Sequence, residues 1–323
     1  MGDLDYVYAV ARIRVKEKSL LTDADIRQMI ALPDAKSALS YLIDKGWGDE
    51  DSGGDMDRIL EAEERKTTAL MKELGLDLSM LDALTLPQLY HNLKAAIKQT
   101  LTEDNPAGLF YDIDPYGEAQ MMKIIKDHSY DELPDHMRKA AAEAYEVMLR
   151  TRDGQRCDSI VDRACMEAMI EAGKHSGSDL IREYTESTVA VSDIKIAARA
   201  QKTGKSVYFL REALAPCRAL DVSDLAAAAS KTEETLMQYL QTHGFKEAAE
   251  AWKESPSAFE RWCDDRLIET IRPQKKNPFS SGPLVAYYLA RQNEIRTVRI
   301  LLTAKANGFS EEETRERVRQ MYV

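Results

Sequence analysis

Apolar residues recur at helical spacing along most of the chain, and one amphipathic segment occurs three times. The copies begin at residues 92, 193 and 297 and read NLKAAIKQTL, DIKIAARAQK and TVRILLTAKA. In each copy an apolar residue precedes a base, and apolar residues follow three and four positions later, which keeps one helical stripe in phase. Any helical protein shows short echoes, but successive copies here are 101 and 104 residues apart. This offset predicts an all-α fold of three similar helical lobes of about 100 residues, arranged about a pseudo-threefold axis.

Segments rich in glycine, proline and charged residues predict where these lobes end. Breaks at 101–117 and 215–223 divide the chain into lobes at residues 1–106, 107–214 and 215–323. Two further segments are predicted to be exposed loops: 46–57, which is acidic, and 272–283, which is basic. The acidic loop lacks the spacing of a calcium-binding loop. For the basic loop, a contact with a partner is an alternative interpretation.

The stretch AQKTGKS, residues 200–206, ends in the letters of a phosphate-binding loop. That loop needs a first glycine five residues before the second, and Arg199 occupies this position. The preceding residues also follow a helical pattern, so Gly204 is predicted to lie just past a helix end. The third copy repeats the stretch as AKANGFS, where Ser310 and Glu313 form a capping-box pattern that opens a final helix. The pattern therefore predicts a helix–glycine–cap turn used twice rather than a nucleotide site.

The composition narrows the class of protein. Of the 323 residues 44% are hydrophobic, whereas aromatic residues make up only 7%, and a composition rich in Ala, Leu, Glu, Lys and Arg favours helices. A net charge of −11 argues against a nucleic-acid partner, which requires a basic face. The four cysteines have no zinc-ligand spacing and are expected to be reduced. Acidic residues near the start argue against a signal peptide. No stretch approaches the ~18 apolar residues that a membrane-spanning helix needs. We therefore expect a cytoplasmic protein, unless a partner carries it to a membrane.

Candidate catalytic chemistry is sparse. The strongest candidate is CDDRLIE at 263–269, where Asp265 and Glu269 share a helix face that could hold Mg²⁺, while Asp264 faces elsewhere. A solvated helix face is the favoured interpretation, because no second acidic cluster matches it. The five histidines are scattered without a nucleophile motif. The sequence therefore predicts no catalytic residue, no cofactor and no metal.

Two stretches near the ends of the chain are distinctive. At the start, YAVARIR carries Tyr8, Arg12 and Arg14, and near the end the pattern EIRxxRIxLxxKxNG is carried by Glu294, Arg296, Arg299, Lys305, Asn307 and Gly308. With these motifs the chain resembles the C subunit of the V/A-type ATPases of archaea and bacteria, which is similar to the d subunit of the eukaryotic vacuolar enzyme. The resemblance spans the whole chain and is weakest between roughly 100 and 180. The family often has Asn at the start of the repeated helix. Asn92 keeps it, whereas Asp193 and Thr297 do not, so a specific hydrogen bond from this position is in question in the second and third lobes.

The resemblance implies an all-helical, funnel-like, non-catalytic component of the central stalk. It would lie on the cytoplasmic side of the membrane, between the axle subunits of a rotary ATPase and the membrane ring of ion-carrying subunits. It would support ATP-driven ion transport or ATP synthesis, while catalysis takes place in other subunits. The rival interpretation is a stand-alone helical scaffold that shares the fold.

Five basic residues are candidate partner contacts. Arg12 and Arg14 could meet acids on a partner, although an intramolecular salt bridge or a solvated face is the favoured alternative. Lys94, Lys195 and Arg299 occupy equivalent places in the three copies. We therefore predict that they form a basic set lining one opening.

Overall fold

The computed structural model describes residues 6–102 and 108–323 and is built from α-helices. No β-strand occurs among those residues, which confirms the predicted all-α class. The helices are α1 (Tyr6–Glu17), α2 (Asp23–Ala31), α3 (Ala35–Asp44), α4 (Met56–Glu73), α5 (Asp82–Leu101), α6 (Glu118–Asp127), α7 (Asp135–Thr151), α8 (Gly154–His175), α9 (Asp179–Lys202), α10 (Val207–Ala213), α11 (Val222–Ala229), α12 (Glu233–Thr242), α13 (Lys246–Glu254), α14 (Pro256–Ile271), α15 (Gly282–Ala306) and α16 (Glu311–Arg317).

The predicted interruptions of the helical pattern occur where the structure describes them, but the two loops predicted to be exposed are partly buried, at Trp47 and Ser52 and at Gly282 and Pro283. Residues 108–117 are not helical, residues 214–221 connect α10 to α11, and the acidic loop connects α3 to α4. The basic segment forms a short 3₁₀ helix at Arg272–Lys276 before α15 begins. The predicted lobe boundary at residue 106 lies outside the described residues. The three-lobe arrangement and its boundaries stay predictions.

The first of two compact units contains the described residues up to Ser79 together with Ser178–Tyr184 and Phe245–Val323. Its central element is the 25-residue helix α15, which packs against α1, α3, α4, α14 and α16. Apolar residues occur on nearly every side of α15, as expected of a helix that is surrounded by others. The core of the first unit includes Met29, Leu42, Leu60, Val298 and Leu301.

The second unit contains the described parts of Met80–Gly177 and Thr185–Gly244. Here α5 and α8 pack against each other and against α7, and α6 packs on α5. The apolar stripe of the first repeated segment faces this core, which includes Leu93, Ile97, Ile124, Met137 and Val161. The three copies of the repeated segment lie in three long helices, α5, α9 and α15.

The helix–glycine–cap turn is confirmed in both copies. Gly204 and Gly308 follow α9 and α15 with φ of +65° and +72°, a conformation that favours glycine. The residue after each glycine donates its N–H back into the helix: Lys205 to the Ala200 carbonyl at 2.9 Å and Phe309 to the Ala304 carbonyl at 3.0 Å. These are the contacts of a glycine-terminated helix end.

The serines of both turns cap the next helix. The Ser206 hydroxyl accepts the N–H of Phe209 at 3.2 Å at the start of α10. Ser310 and Glu313 form the predicted capping box at the start of α16. Hence AQKTGKS is a helix end followed by a cap, as predicted, and its glycine serves the turn.

Candidate functional site

The three repeated helices share a buried polar position. Asn92, Asp193 and Thr297 each have a relative exposure of 0%, although each lies in a stripe of apolar neighbours. Burial of a polar group is costly unless it is hydrogen-bonded, so the contacts of these three residues show what the position does.

Asn92 connects α5 to the segment that leads into α6. Its Nδ2 donates to the carbonyls of Tyr111 at 2.8 Å and Tyr116 at 2.9 Å, and its Oδ1 accepts the Tyr111 N–H at 2.8 Å. An amide can donate and accept at once, and Asn92 uses both abilities. Asn92 therefore fixes the non-helical segment before α6 to the buried side of α5.

Asp193 makes the corresponding contact in the second copy. Its Oδ1 accepts the N–H of Ala215, in the segment after α10, at 3.0 Å. The questioned hydrogen bond is thus present here, and the doubt raised by the Asn-to-Asp difference was wrong for this copy. Oδ2 has no hydrogen-bond partner among the described residues. Burial raises the pKa of Asp193 to about 7, against the opposing influence of the Ala215 N–H.

Thr297 differs from the other two. Its hydroxyl is buried in the first unit, and within residues 6–102 and 108–323 it has no hydrogen-bond partner. A threonine hydroxyl has one donor, so it cannot donate to two carbonyls as the Asn92 amide does.

The three predicted basic contacts lie two residues beyond the buried position. Lys94 pairs with Asp162 at 2.6 Å in the second unit, and Arg299 pairs with Asp57 at 2.5 Å in the first. Burial lowers the pKa of Lys94, but Asp162 more than compensates, so the pKa lies above its usual value. Lys195 is half-buried on α9. That the three line one opening stays a prediction.

Arg12 and Arg14 on α1 both make intramolecular ion pairs. Arg12 contacts Glu73 at 3.0 Å, and Arg14 contacts Glu17 at 2.6 Å. Arg14 also donates to the carbonyls of Gln274 and Asn277, at 2.6 and 2.9 Å, and so holds the basic loop against α1. The favoured alternative for both arginines, an intramolecular salt bridge, is therefore observed.

A buried ionic cluster in the first unit was missed by the sequence analysis. Arg291 on α15 lies between Glu63 on α4 and Glu294 on α15, and the three side chains are 7%, 6% and 2% exposed. We call these three residues the ionic cluster. The Arg291 guanidinium also lies 4.8 Å from the Trp47 ring centroid.

Both carboxylates of the ionic cluster hold backbone. Glu63 accepts the Gly48 N–H at 2.9 Å, and Glu294 accepts the Leu21 N–H. Burial raises the pKa of Glu294 to about 7, while Arg291 and the Leu21 N–H oppose that rise. Two helices and two loops of the first unit therefore meet at one guanidinium.

In the segment considered for Mg²⁺, the two aspartates hold protein groups. Asp264 is buried and accepts from Arg319, and Asp265 accepts the Gln320 N–H at 2.8 Å. Glu269 is exposed, as expected of a solvated face, but Asp265 is half-buried, so that prediction was wrong for Asp265. Both aspartates attach the chain beyond α16 to α14. No group of three or more His, Cys, Asp or Glu within the described residues is arranged to hold a metal ion.

Comparison with known proteins identifies the family to which this arrangement belongs. The ATP synthase (C/AC39) subunit family matches residues 9–317. The chain belongs to this family. It is also 23% identical over 317 residues to the C subunit of the V-type sodium ATPase of Enterococcus hirae, over 96% of this chain and 97% of that protein. The resemblance found in the sequence is therefore confirmed over nearly the whole chain. Among the helices that the structure describes, none is long and apolar enough to cross a membrane.

Proposed function

We propose that this member of the ATP synthase (C/AC39) subunit family is the non-catalytic central-stalk subunit of a rotary V/A-type ATPase. It joins the rotating axle to the membrane ring and lies at the cytoplasmic side as a peripheral subunit. The observation that carries the proposal is the family match over residues 9–317, together with coverage of 97% of the C subunit of a V-type ATPase. Because the match covers nearly the whole of both chains, the similarity is not confined to one shared segment.

The chemistry of the described residues supports a mechanical rather than a catalytic role. Two conspicuous buried charges join parts of the chain to one another. Arg291 pairs with two carboxylates, and Asp264 pairs with Arg319. Perturbed carboxyl groups often mark active sites, but ion-pair networks perturb them as well. Here Glu294 contacts a guanidinium and a backbone N–H. The membrane ring selects the transported ion, so the proposal does not specify whether that ion is a proton or sodium.

Binding to the axle tests the proposal. The purified chain would be titrated with the two-subunit axle complex by calorimetry, and mass in solution would give the stoichiometry. We expect a one-to-one complex. Absence of binding at ~50 μM, a Kd that corresponds to about −6 kcal/mol, would contradict the coupler function and favour the stand-alone scaffold if both partners are folded.

Charge changes at the repeat would then map the contact. Arg299→Asp removes the positive charge but also breaks the internal pair with Asp57. The double variant Arg299→Asp/Asp57→Arg restores an internal pair while position 299 stays negative. If Arg299 contacts the axle, both variants weaken binding. If only the single variant does, the loss comes from the broken pair, and the basic-set prediction is wrong for this position.

A further inference from the structure

Helix α1 carries apolar side chains on two opposite faces. One face packs towards α15 in the first unit and includes the buried Ala9, Val10 and Ile13. The other face carries Tyr8, Ala11 and Val15, at spacings of three and four residues, and we call these three residues the α1 stripe. Tyr8 is 66% exposed and Val15 is 65% exposed. A helix that is apolar on both sides is normally enclosed on both sides, and here only one side is covered within the described chain.

Tyr8 and Arg12 are held ready for contact at the edge of the stripe. Arg12 donates to the Tyr8 hydroxyl at 2.9 Å, and its guanidinium carbon lies 5.8 Å from the ring centroid. Glu73 fixes the other side of the guanidinium. Tyr and Arg are the residues that most often dominate the binding energy of interfaces. Their immobilisation before binding lowers the entropy lost when a partner docks.

The surroundings of the stripe are basic although the whole chain is acidic. At 100° per residue, Arg12 lies along one edge of the stripe and Lys16 further round on the same side, while Lys18 lies just beyond the end of α1 at Glu17. Lys16 and Lys18 are exposed, and the described residues offer neither of them an ion pair. The basic loop, attached to α1 through Arg14, adds positive charge near this helix. Burial and the nearby Arg272 lower the pKa of Lys275 in that loop, against the opposing influence of Glu17.

We propose that the α1 stripe docks an α-helix of another protein, and that this helix has an apolar seam flanked by carboxylates. The spacing of Tyr8, Ala11 and Val15 matches one seam of a two-helix contact, in which small and large residues alternate. Lys16, and Lys18 just beyond the helix end, would meet the flanking acids and fix the register. The inference rests on the proposed function only for the identity of the partner, since its chemistry follows from α1.

Two other occupants fit the charges less well. A second copy of this chain, docked stripe to stripe about a twofold axis, would place the same cations opposite one another. An anionic membrane surface would attract the lysines but repel a chain whose net charge is −11. An acidic helix meets the local positive charge at short range, where the distant negative charges are screened.

A synthetic helix tests the proposal independently of the rotary complex. The probe is a fluorescently labelled peptide about three heptads long, with a Leu/Ala seam and Glu on both flanks, titrated against the full chain by anisotropy. We expect micromolar binding that weakens with salt, and little binding of the same peptide with Lys flanks. Val15→Glu should weaken binding by at least about tenfold, and Val15→Ser by several-fold without a change of charge.

The matched control is Leu149→Glu, which adds the same charge at an exposed apolar residue of α7, 45% exposed, in the second unit. Equal effects of Val15→Glu and Leu149→Glu, or equal binding of the Lys-flanked peptide, would overturn the proposal. So would dimerisation of the chain that Val15→Glu abolishes, or binding to phosphatidylserine vesicles in place of the peptide. If the axle binds and the peptide does not, the coupler function stands and this surface is refuted. If the peptide binds and the axle does not, the coupler function is refuted and the proposed docking surface stands.

Discussion

Replacing Arg291 by Met is expected to destabilise the first unit by about 3–5 kcal/mol, the usual cost of leaving a buried charge without its partner. The variant keeps a side chain of similar length but leaves Glu63 and Glu294 facing each other. Their side chains are 6% and 2% exposed, so water cannot take over the role of the guanidinium. Since burial already holds the pKa of Glu294 at about 7, the loss should be smaller at pH 6, where protonation removes one of the charges, than at pH 8.

Tryptophan fluorescence during urea unfolding provides the assay. The chain has 3 tryptophans, at positions 47, 252 and 262, and all lie in the first unit, so the signal reports on the unit that contains the ionic cluster. With a urea dependence of about 2 kcal/mol/M, the expected loss moves the midpoint down by about 1.5–2.5 M. The midpoint is compared rather than the intensity, because Arg291 contacts the Trp47 ring.

Arg299→Met is the matched control, eight residues further along α15. Its pair with Asp57 has side chains 47% and 61% exposed, and such pairs contribute only about 0–1 kcal/mol. Glu63→Gln and Glu294→Gln, added to Arg291→Met, should recover part of the stability because no buried charge then lacks a partner. Equal midpoints for Arg291→Met and Arg299→Met would refute the buried-charge reasoning.

Two further predictions concern the repeated positions. The pKa of Asp193, at about 7, is above that of an unfolded aspartate, so its contribution is fully present at low pH and is lost as pH rises through 7. Asp193→Asn should therefore flatten the dependence of stability on pH between about 5 and 8, measured by circular dichroism, and an unchanged slope would contradict this assignment. Gly308→Ala should cost about 1 kcal/mol through its φ of +72° alone, because no atom lies within 4 Å of the added Cβ. Gly154→Ala in α8, where φ is not positive, is its control and should cost less in the same thermal melt.

Local signals in the sequence were sufficient for the helix ends. The glycines after α9 and α15, and the serines that follow them, act through contacts within six residues of chain, so a short window contains all the information. The phase of the repeated segment was equally readable, because a helix face is set by spacing alone. These features therefore matched the structure residue by residue.

The ionic cluster could not be predicted in the same way. Glu63 lies in the run EAEERK, which looks like a solvated helix face, and its partner Arg291 is 228 residues away. One usable signal existed: Arg291 and Glu294 interrupt the mainly apolar stretch 282–302, and charges in such a stretch must be paired if the helix is enclosed. The identity of the partner still required the packing of α4 on α15.

The doubt about Asp193 shows a different limit. Replacement of Asn by Asp normally adds a charge and removes a donor, which argues against the same buried hydrogen bond at that position. Burial raises the pKa of the carboxyl group instead, so that the acid can stay near neutral and still accept the Ala215 N–H. Sequence alone contains the residue type but not the degree of burial that sets its charge.

Buried polar groups make the packing of both units resistant to small displacements. Apolar contacts are non-directional, so two packed helices can shift slightly along each other at small cost. Hydrogen bonds weaken steeply with distance and angle, and Asn92 makes three of them to one connecting segment. In the first unit, Arg291 similarly fixes α15 to α4. Movement of the connecting segment along α5, or of α4 along α15, must break these polar contacts as well as shift the apolar ones. Under the proposed function, each unit would resist the load through these buried contacts, and the surface would need only to hold its partners.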